Sequence, residues 1–342
     1  MDPRKQQVLR AIVALYAMDG EPVGSGLLCQ HLDMAVSSAT LRNEMAALTK
    51  LGLLEQPHTS AGRVPSAKGY RYYLDHLLTE GEALDRQEAA RIDAQLRELD
   101  HEPEKLAQGT AKALADHVGY AVAATTPRAD EVCIAHFEVV QVGRYSAAVL
   151  AVTGTGGVRT RVARIESGLS RADAALAAGV LNRGLTFVAP ADLSGPLLAG
   201  LAAEMEGRGE ALFPVLRAAA ALLRDAARPR AYLEGQQYLL KTPGFSDHLA
   251  ELLRIFSDGE TAGRLITPPP GRTSVLLGED LPQPMPGLCI MSRRYLAGGG
   301  LSGSIAVIGP ARMPFSKLMP RLEHFALRLG EHMSGKTQEE QA

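Results

Sequence analysis

Arg42 and Asn43 stand side by side in the run SSATLRNEMAALTK, residues 37–50, and Ala39, Ala46 and Lys50 fall on the same side of a 3.6-residue repeat. These side chains suit base-edge readout: Arg pairs bidentately with guanine, Asn with adenine, and Ala packs on a thymine methyl. Ser37, Ser38, Thr40 and Lys50 supply hydroxyls and a charge that would set the helix on phosphates without reading sequence. The opposite side of the repeat carries Leu41, Met45 and Leu48 at i, i+4 and i+7, the apolar stripe of a helix that packs on a core. Ser37 and Ser38 are suited to cap it. Taken alone, the segment also reads as an ordinary amphipathic surface helix.

The elements on either side decide between the two. Residues 4–18 spell a first helix with Val8, Leu9, Ile12, Val13, Leu15 and Tyr16 apolar, Asp2 as N-cap, Pro3 at the first position and Gly20 as the stop. Ser25 is expected to cap a short second helix, and Asp33–Val36 makes a tight connection into the Ser37 helix, which is helix-turn-helix spacing. After it, Leu53–Glu55 begins a strand, residues 58–63 form a polar hairpin tip, and Val64–Pro65 returns before Ser66 caps another helix. The pattern predicts a winged DNA-binding head. His58, Thr59, Ser60, Gly62 and Arg63 form the wing, with Arg63 as its DNA contact and His58 open to a second reading as a loop residue without contact. Lys68, Tyr70 and Arg71 are candidate backbone clamps; for Tyr70, with Tyr72 and Tyr73, packing of the last helix onto the head is the open alternative.

Charge is concentrated where that head needs it. The whole chain has a formal net charge of −2, so no overall basic footprint exists. Residues 42–73 nevertheless carry five basic and two acidic side chains, net +3, whereas residues 1–41 carry three basic and four acidic ones, net −1. One head neutralises few phosphates, and two heads per complex would repair the shortfall.

At 342 residues, about 150 per domain gives two or three domains. Residues 79–108 are charged and helical, broken by Pro103, and read as a solvated linker helix. A helix near 104–118 follows, then strands at 132–142, 147–152 and 158–165, with a hairpin tip at Gly154–Gly157. A phosphate-cradling loop needs a helix after its glycines, and here a strand follows. Residues 170–263 turn to Ala- and Leu-rich helices, including 210–227 and 246–256, interrupted by a short extended piece near 230–233. Strands resume at 273–277, 288–295 and 303–308 before a final helix from 316 to about 333. Strands, helices and strands again suggest one sheet domain interrupted by a helical insertion. The Gly298–Gly300 cluster reads as a flexible hairpin.

Enzyme chemistry finds no foothold. A nucleophile elbow, Walker loop, dinucleotide fingerprint and zinc-protease motif are all missing from the sequence. Cys29, Cys133 and Cys289 lie far apart without metal spacing and read as buried thiols. No run approaches the roughly 18 apolar residues of a membrane span, and the first residues lack the pattern of a secretory signal.

The segment from Gly20 to Leu78 resembles the heat-inducible transcription repressor family of bacteria known as HrcA. The matching runs are Gly20–Ser25, Val36–Ala46, Leu53–Pro65 and Lys68–Tyr73, with weaker echoes at Leu233–Gly235, Phe245–Asp247 and Ile308–Met313. Two departures stand out: Gly26, where a basic residue is usual, and Pro314–Phe315, where an acidic residue and Tyr are usual.

The resemblance implies an α+β multidomain chain. A winged helix-turn-helix DNA-binding domain would occupy 1–78 and a helical linker 79–103. A GAF-like α+β domain in two parts, 104–169 and 264–342, would be interrupted by a mainly helical inserted dimerisation domain over 170–263. The implied function is a cytoplasmic homodimeric repressor, nucleoid-associated when bound, holding double-stranded DNA at an inverted-repeat operator of chaperonin operons. A GroE-type chaperonin would keep it active until heat-damaged proteins draw the chaperonin away. No cofactor, metal or catalytic residue is implied. The competing expectation is a metabolite-responsive regulator with an effector in the GAF-like domain.

Overall fold

The computed structural model describes residues 1–32, 37–58, 62–78, 84–127, 133–154, 157–226, 228–241, 246–298 and 300–335. The chain opens with α1 (Pro3–Asp19), where the Asp2 carboxylate accepts the Arg4 amide at 3.1 Å and Gly20 ends the helix at φ 72°. There follow α2 (Ser25–His31), α3 (Ser38–Lys50), the two-residue strands β1 (Leu54–Glu55) and β2 (Val64–Pro65), and α4 (Ala67–His76). Leu41, Met45 and Leu48 of α3 are buried, as their spacing predicts, against Val8, Leu9 and Ile12 of α1. The connection expected at Asp33–Val36 lies outside the described residues.

After α5 (Arg86–Arg97) and α6 (Pro103–Val118), β3 (Ala121–Thr125) begins a five-stranded sheet that the chain completes only much later. First come β4 (Ile134–Gly143), β5 (Ser146–Thr153), β6 (Val158–Arg164), α7 (Arg171–Gly184), α8 (Gly195–Ala203) and α9 (Gly209–Ala226). Then follow β7 (Ala231–Glu234), α10 (Gln236–Leu240), α11 (Ser246–Phe256), α12 (Gly259–Ile266), β8 (Thr273–Leu277), β9 (Leu288–Leu296), β10 (Ser302–Pro310) and α13 (Phe315–Met333). The large sheet runs β7-β3-β10-β9-β8, all neighbours antiparallel. All nine residues of β10 are buried, because α6 and α13 cover one face and α10–α12 the other.

Two sequence expectations change here. Strands β4–β6, expected to open the first part of the sheet domain, pair only among themselves and share a separate core with α7–α9. The insertion therefore runs from 134 to 226, not from 170 to 263, and is itself α+β; β7 and α10–α12 return to the large sheet. The alternating burial of β5 shows why: one face packs on α7 and α9 while the other is open, as in a sheet covered on one side only. Asn182 of α7 fixes this unit by bonding both backbone groups of Phe137, at 2.8 and 2.7 Å. The second change concerns α5, which is not merely solvated. Ile92 and Leu96 are buried, Asp93 accepts from Arg328 at 2.8 and 2.9 Å and contacts His324, and Glu88 accepts from Arg321. Helix α5 is thus clamped to α13. Of the three cysteines only Cys289 is buried, and burial pushes its thiol up; Cys29 and Cys133 are half-buried.

A capping box opens α7: Ser170 accepts from the Asp173 amide and the Asp173 carboxylate accepts from the Ser170 amide. Arg208 also bonds Asp173, at 2.9 and 3.2 Å, and these donors hold the carboxyl down to about 2. A depressed acid stabilises the fold above its unfolded value and loses that contribution as pH falls through the folded one. Asp173→Asn should therefore cost about 1 kcal/mol at neutral pH, and thermal unfolding followed from pH 7 down to pH 2 should show the gap to wild type closing.

Candidate nucleic-acid interface

The recognition face is built by burying its back. The apolar stripe of α3 faces α1, so Ala39, Arg42, Asn43 and Lys50 are left exposed and Ala46 half-buried. Ser37 caps the helix, accepting the Thr40 amide at 3.2 Å. Ser38 instead shares a hydrogen bond with Ser25 across the two helices, at 2.9 Å. Ser25 is therefore not the cap of α2 that the sequence suggested; Gly24 occupies the cap position and the Ser25 hydroxyl ties α2 to α3. Among the described residues, Arg42, Asn43 and Lys50 have no hydrogen-bond or ion-pair partner within the chain, so their donors are free for a ligand.

An acid on this helix would repel a phosphate backbone. Glu44 is the single acid of α3, and Lys5 of α1 takes it at 3.0 Å, with Glu44 only 15% exposed. The Glu44 carboxylate beside it holds the Lys5 ammonium above its ordinary range. This pairing was not legible in the sequence, since the partners lie on different helices.

The wing is pinned at its base. Val23 and Arg63 exchange backbone hydrogen bonds of 2.9 Å each way, and the Arg63 guanidinium donates to Thr49 Oγ1 at 3.1 Å. Arg63 is thus held against the end of α3. His58 is exposed beside it, while Thr59 and Ser60, the other expected wing contacts, lie outside the described residues. Lys68 is exposed but spends a hydrogen bond of 3.0 Å on the Leu51 carbonyl, closing the end of α3.

Two expected contacts are corrected. Tyr70 is 4% exposed and packs edge-on against Phe315, ring centroids 6.4 Å apart, so its ring joins the head to α13 and cannot reach a DNA backbone. Burial drives its hydroxyl well above the ordinary tyrosine range. Arg71 donates to both carboxylate oxygens of Asp280, at 2.5 and 2.6 Å, and so also bridges the head to the sheet domain. The helical spacing of these residues was legible; the surface they would meet, supplied by Asp280 and Phe315 far along the chain, was not.

A family model described as the HrcA protein C terminal domain matches residues 104–319. A heat-inducible transcription repressor HrcA from Moorella thermoacetica is 32% identical over 97% of this chain and 97% of its own length. The chain belongs to the HrcA family of heat-inducible transcription repressors. The HrcA of Brevibacillus brevis is 30% identical over 98% of this chain and 99% of its own length. In fold, a crystal structure of a hypothetical protein superposes with a TM-score of 0.64 at 22% identity, covering 98% of this chain and 100% of the other. HrcA proteins are regulators of transcription, and among the described residues no helix is long and apolar enough to cross a membrane. Both departures from the HrcA pattern acquire a place. Gly26 is exposed on α2, and a Cβ there would meet nothing within 4 Å, so an ordinary side chain fits. Phe315 keeps the ring that packs on Tyr70 and lacks the hydroxyl.

Gly62 sets the wing's approach: a Cβ there would lie 2.3 Å from the Val23 carbonyl oxygen and 2.8 Å from the Gly24 nitrogen, both backbone atoms that cannot swing aside. Gly62→Ala should destabilise the chain by about 1–3 kcal/mol through forced backbone displacement. A chemical denaturation midpoint equal to that of the unsubstituted protein would contradict the pinning.

Proposed function

We propose that the protein is a homodimeric repressor that grips an inverted-repeat operator of double-stranded DNA with two winged heads, so that the symmetry of the dimer matches that of the site. The observation that carries this reading is the exposed, unpartnered Arg42–Asn43–Lys50 face of α3, with the helix's single acid withdrawn to Lys5. In this reading Arg42 and Asn43 read base edges, while Ser37, Ser38, Thr40 and Lys50 position the helix on phosphates. Arg63, Gly62 and His58 form the wing contact, with Thr59 and Ser60 beside them in sequence, and Lys68 lends charge.

The insertion supports the dimer. On the open face of its sheet, Val140, Ala148 and Val162 line up across three strands, Val152 stands opposite Val158 with His136 completing that row, and Val140, Val142, Val158 and Val162 are 46–63% exposed. A valine-rich row across a one-sided sheet favours burial against another surface, and a second copy supplies the same row. The inserted unit is then the dimerisation domain, and the five-stranded unit takes the GAF-like role.

The operators proposed are those of chaperonin and related heat-shock operons in the cytoplasm. A GroE-type chaperonin would hold the repressor in its active fold, and heat-damaged proteins would compete for that chaperonin and lift repression. Family membership as a heat-inducible repressor supports this reading.

Arg42→Ala should cost about 1–3 kcal/mol on the operator and blur sequence preference, whereas Lys50→Ala should weaken all duplexes evenly and lower the salt slope by about one. Titrations of both variants against operator and random duplex at several salt concentrations separate the roles. Equal losses on the two duplexes for both variants would contradict the assignment.

A further inference from the structure

The face of the large sheet covered by α10–α12 changes character from one end to the other. One cross-strand row is aliphatic, with Ala121, Ile308, Ile290 and Leu276 in register. The next row is Leu233, Ala123, Ala306, Ser292 and Ser274. In the row beyond it, Ser304 stands opposite Arg294, and Thr125 Oγ1 accepts from the Ser304 amide at 3.0 Å. Three neighbouring strands thus turn from aliphatic to hydroxyl or guanidinium at the same end. Thr125, Ser292, Ser302 and Ser304 are all buried there. Burial of hydroxyls adds little to a core that aliphatic side chains would fill better.

That end is not filled. Between it, Gly263, Arg264 and Thr267 of the α12 region, and Pro229 lies a cavity of about 520 Å³, a size suited to a small molecule. Arg294 donates through Nε to Ser302 Oγ at 2.9 Å, and among the described residues it has no carboxylate partner. The neighbouring charges are already satisfied. Arg293 is 3.3 Å from Glu323, and Arg264 at the cavity rim is bound to Glu260 at 2.5 Å. The cavity therefore keeps one uncompensated guanidinium beside hydroxyls that both donate and accept. Ser304 Oγ lies 3.0 Å from Thr267 Oγ1, which links the sheet to the end of α12.

We propose that this cavity is a binding site for a small oxyanion-bearing molecule, whose phosphate or carboxylate group is held by Arg294 together with the hydroxyls of Ser302, Ser304 and Thr267. The planar guanidinium matches either group bidentately. The site borders the neck of the insertion: Thr126 exchanges hydrogen bonds of 2.8 and 2.9 Å with Arg230, and Thr126 and Pro229 both line the cavity. An occupant would bridge this neck to α12 and the sheet. The inference stands on the sheet domain alone and is independent of how the heads read DNA.

Thermal unfolding of the full chain in a buffer free of phosphate and carboxylates tests it, with inorganic phosphate and succinate as separate probes and sodium chloride at matched ionic strength as the baseline. A saturable rise in Tm with one or both is expected, and which probe acts identifies the group recognised. Arg294→Gln should weaken the apparent affinity by about tenfold or more, and Ser304→Ala should weaken it less. Should Arg294→Gln fail to fold, Arg294→Lys and Ser302→Ala carry the comparison. No saturable rise above chloride with either probe, or a rise unchanged in the folded variants, would overturn the proposal.

Discussion

The pairing of β3 with β10 holds the rest of the molecule in place. Ala121–Ala124 meets Ile305–Ile308 across some 180 residues of chain, and β10 then pairs along its whole length with β9. Closing so long a loop is entropically costly, and the cost grows only slowly with length, so an insertion of any size can hang between the two strands once they are joined. Burial of all nine residues of β10 between two layers of helices supplies the opposing gain. The same closure returns α13 to the amino-terminal part of the chain. There Phe315 meets Tyr70, Arg321 and Arg328 clamp α5, and one continuous apolar core runs from α1 to α13.

The head is consequently a fixed attachment whose working face points away from its supports. Tyr70 and Arg71, on α4, are spent on the junction with the sheet domain, and Arg42, Asn43 and Lys50 of α3 have no partner among the described residues. The acid of α3 is drawn off that face by an interhelical pair, Lys5 with Glu44. Pinning of the wing base through Val23 and Arg63 then fixes it relative to α3, which in the proposed reading lowers the ordering cost of binding DNA.

Local chemistry was legible in the sequence wherever the deciding atoms lie within a few residues. Asp2, Ser37 and Ser66 cap the helices their spacing predicts, Gly20 stops α1, and β7–β10 lie within a residue or two of their expected ends, whereas β3, a short Ala- and Val-built strand directly after α6, was not expected. Ser25 misled because a Ser before an apolar run has the same local signature whether it caps its own helix or bonds a neighbouring one. The insertion boundary was misplaced because β4–β6 and β8–β10 carry similar strand signals, and sheet membership depends on partners far away in sequence. Tyr70 and Arg71 were ambiguous for the same reason: their partners, Phe315 and Asp280, are distant in the chain.

Whether a dimer reads a two-fold site through α3 is decided by fluorescence anisotropy of the purified protein on an inverted-repeat operator and on the same duplex with one half-site scrambled, at two salt concentrations. Tight binding to the intact repeat and a large loss on scrambling one half, persisting at the higher salt, are expected. Equal affinity for both duplexes with a steep common salt slope would contradict that reading, reducing the head to a generic electrostatic contact.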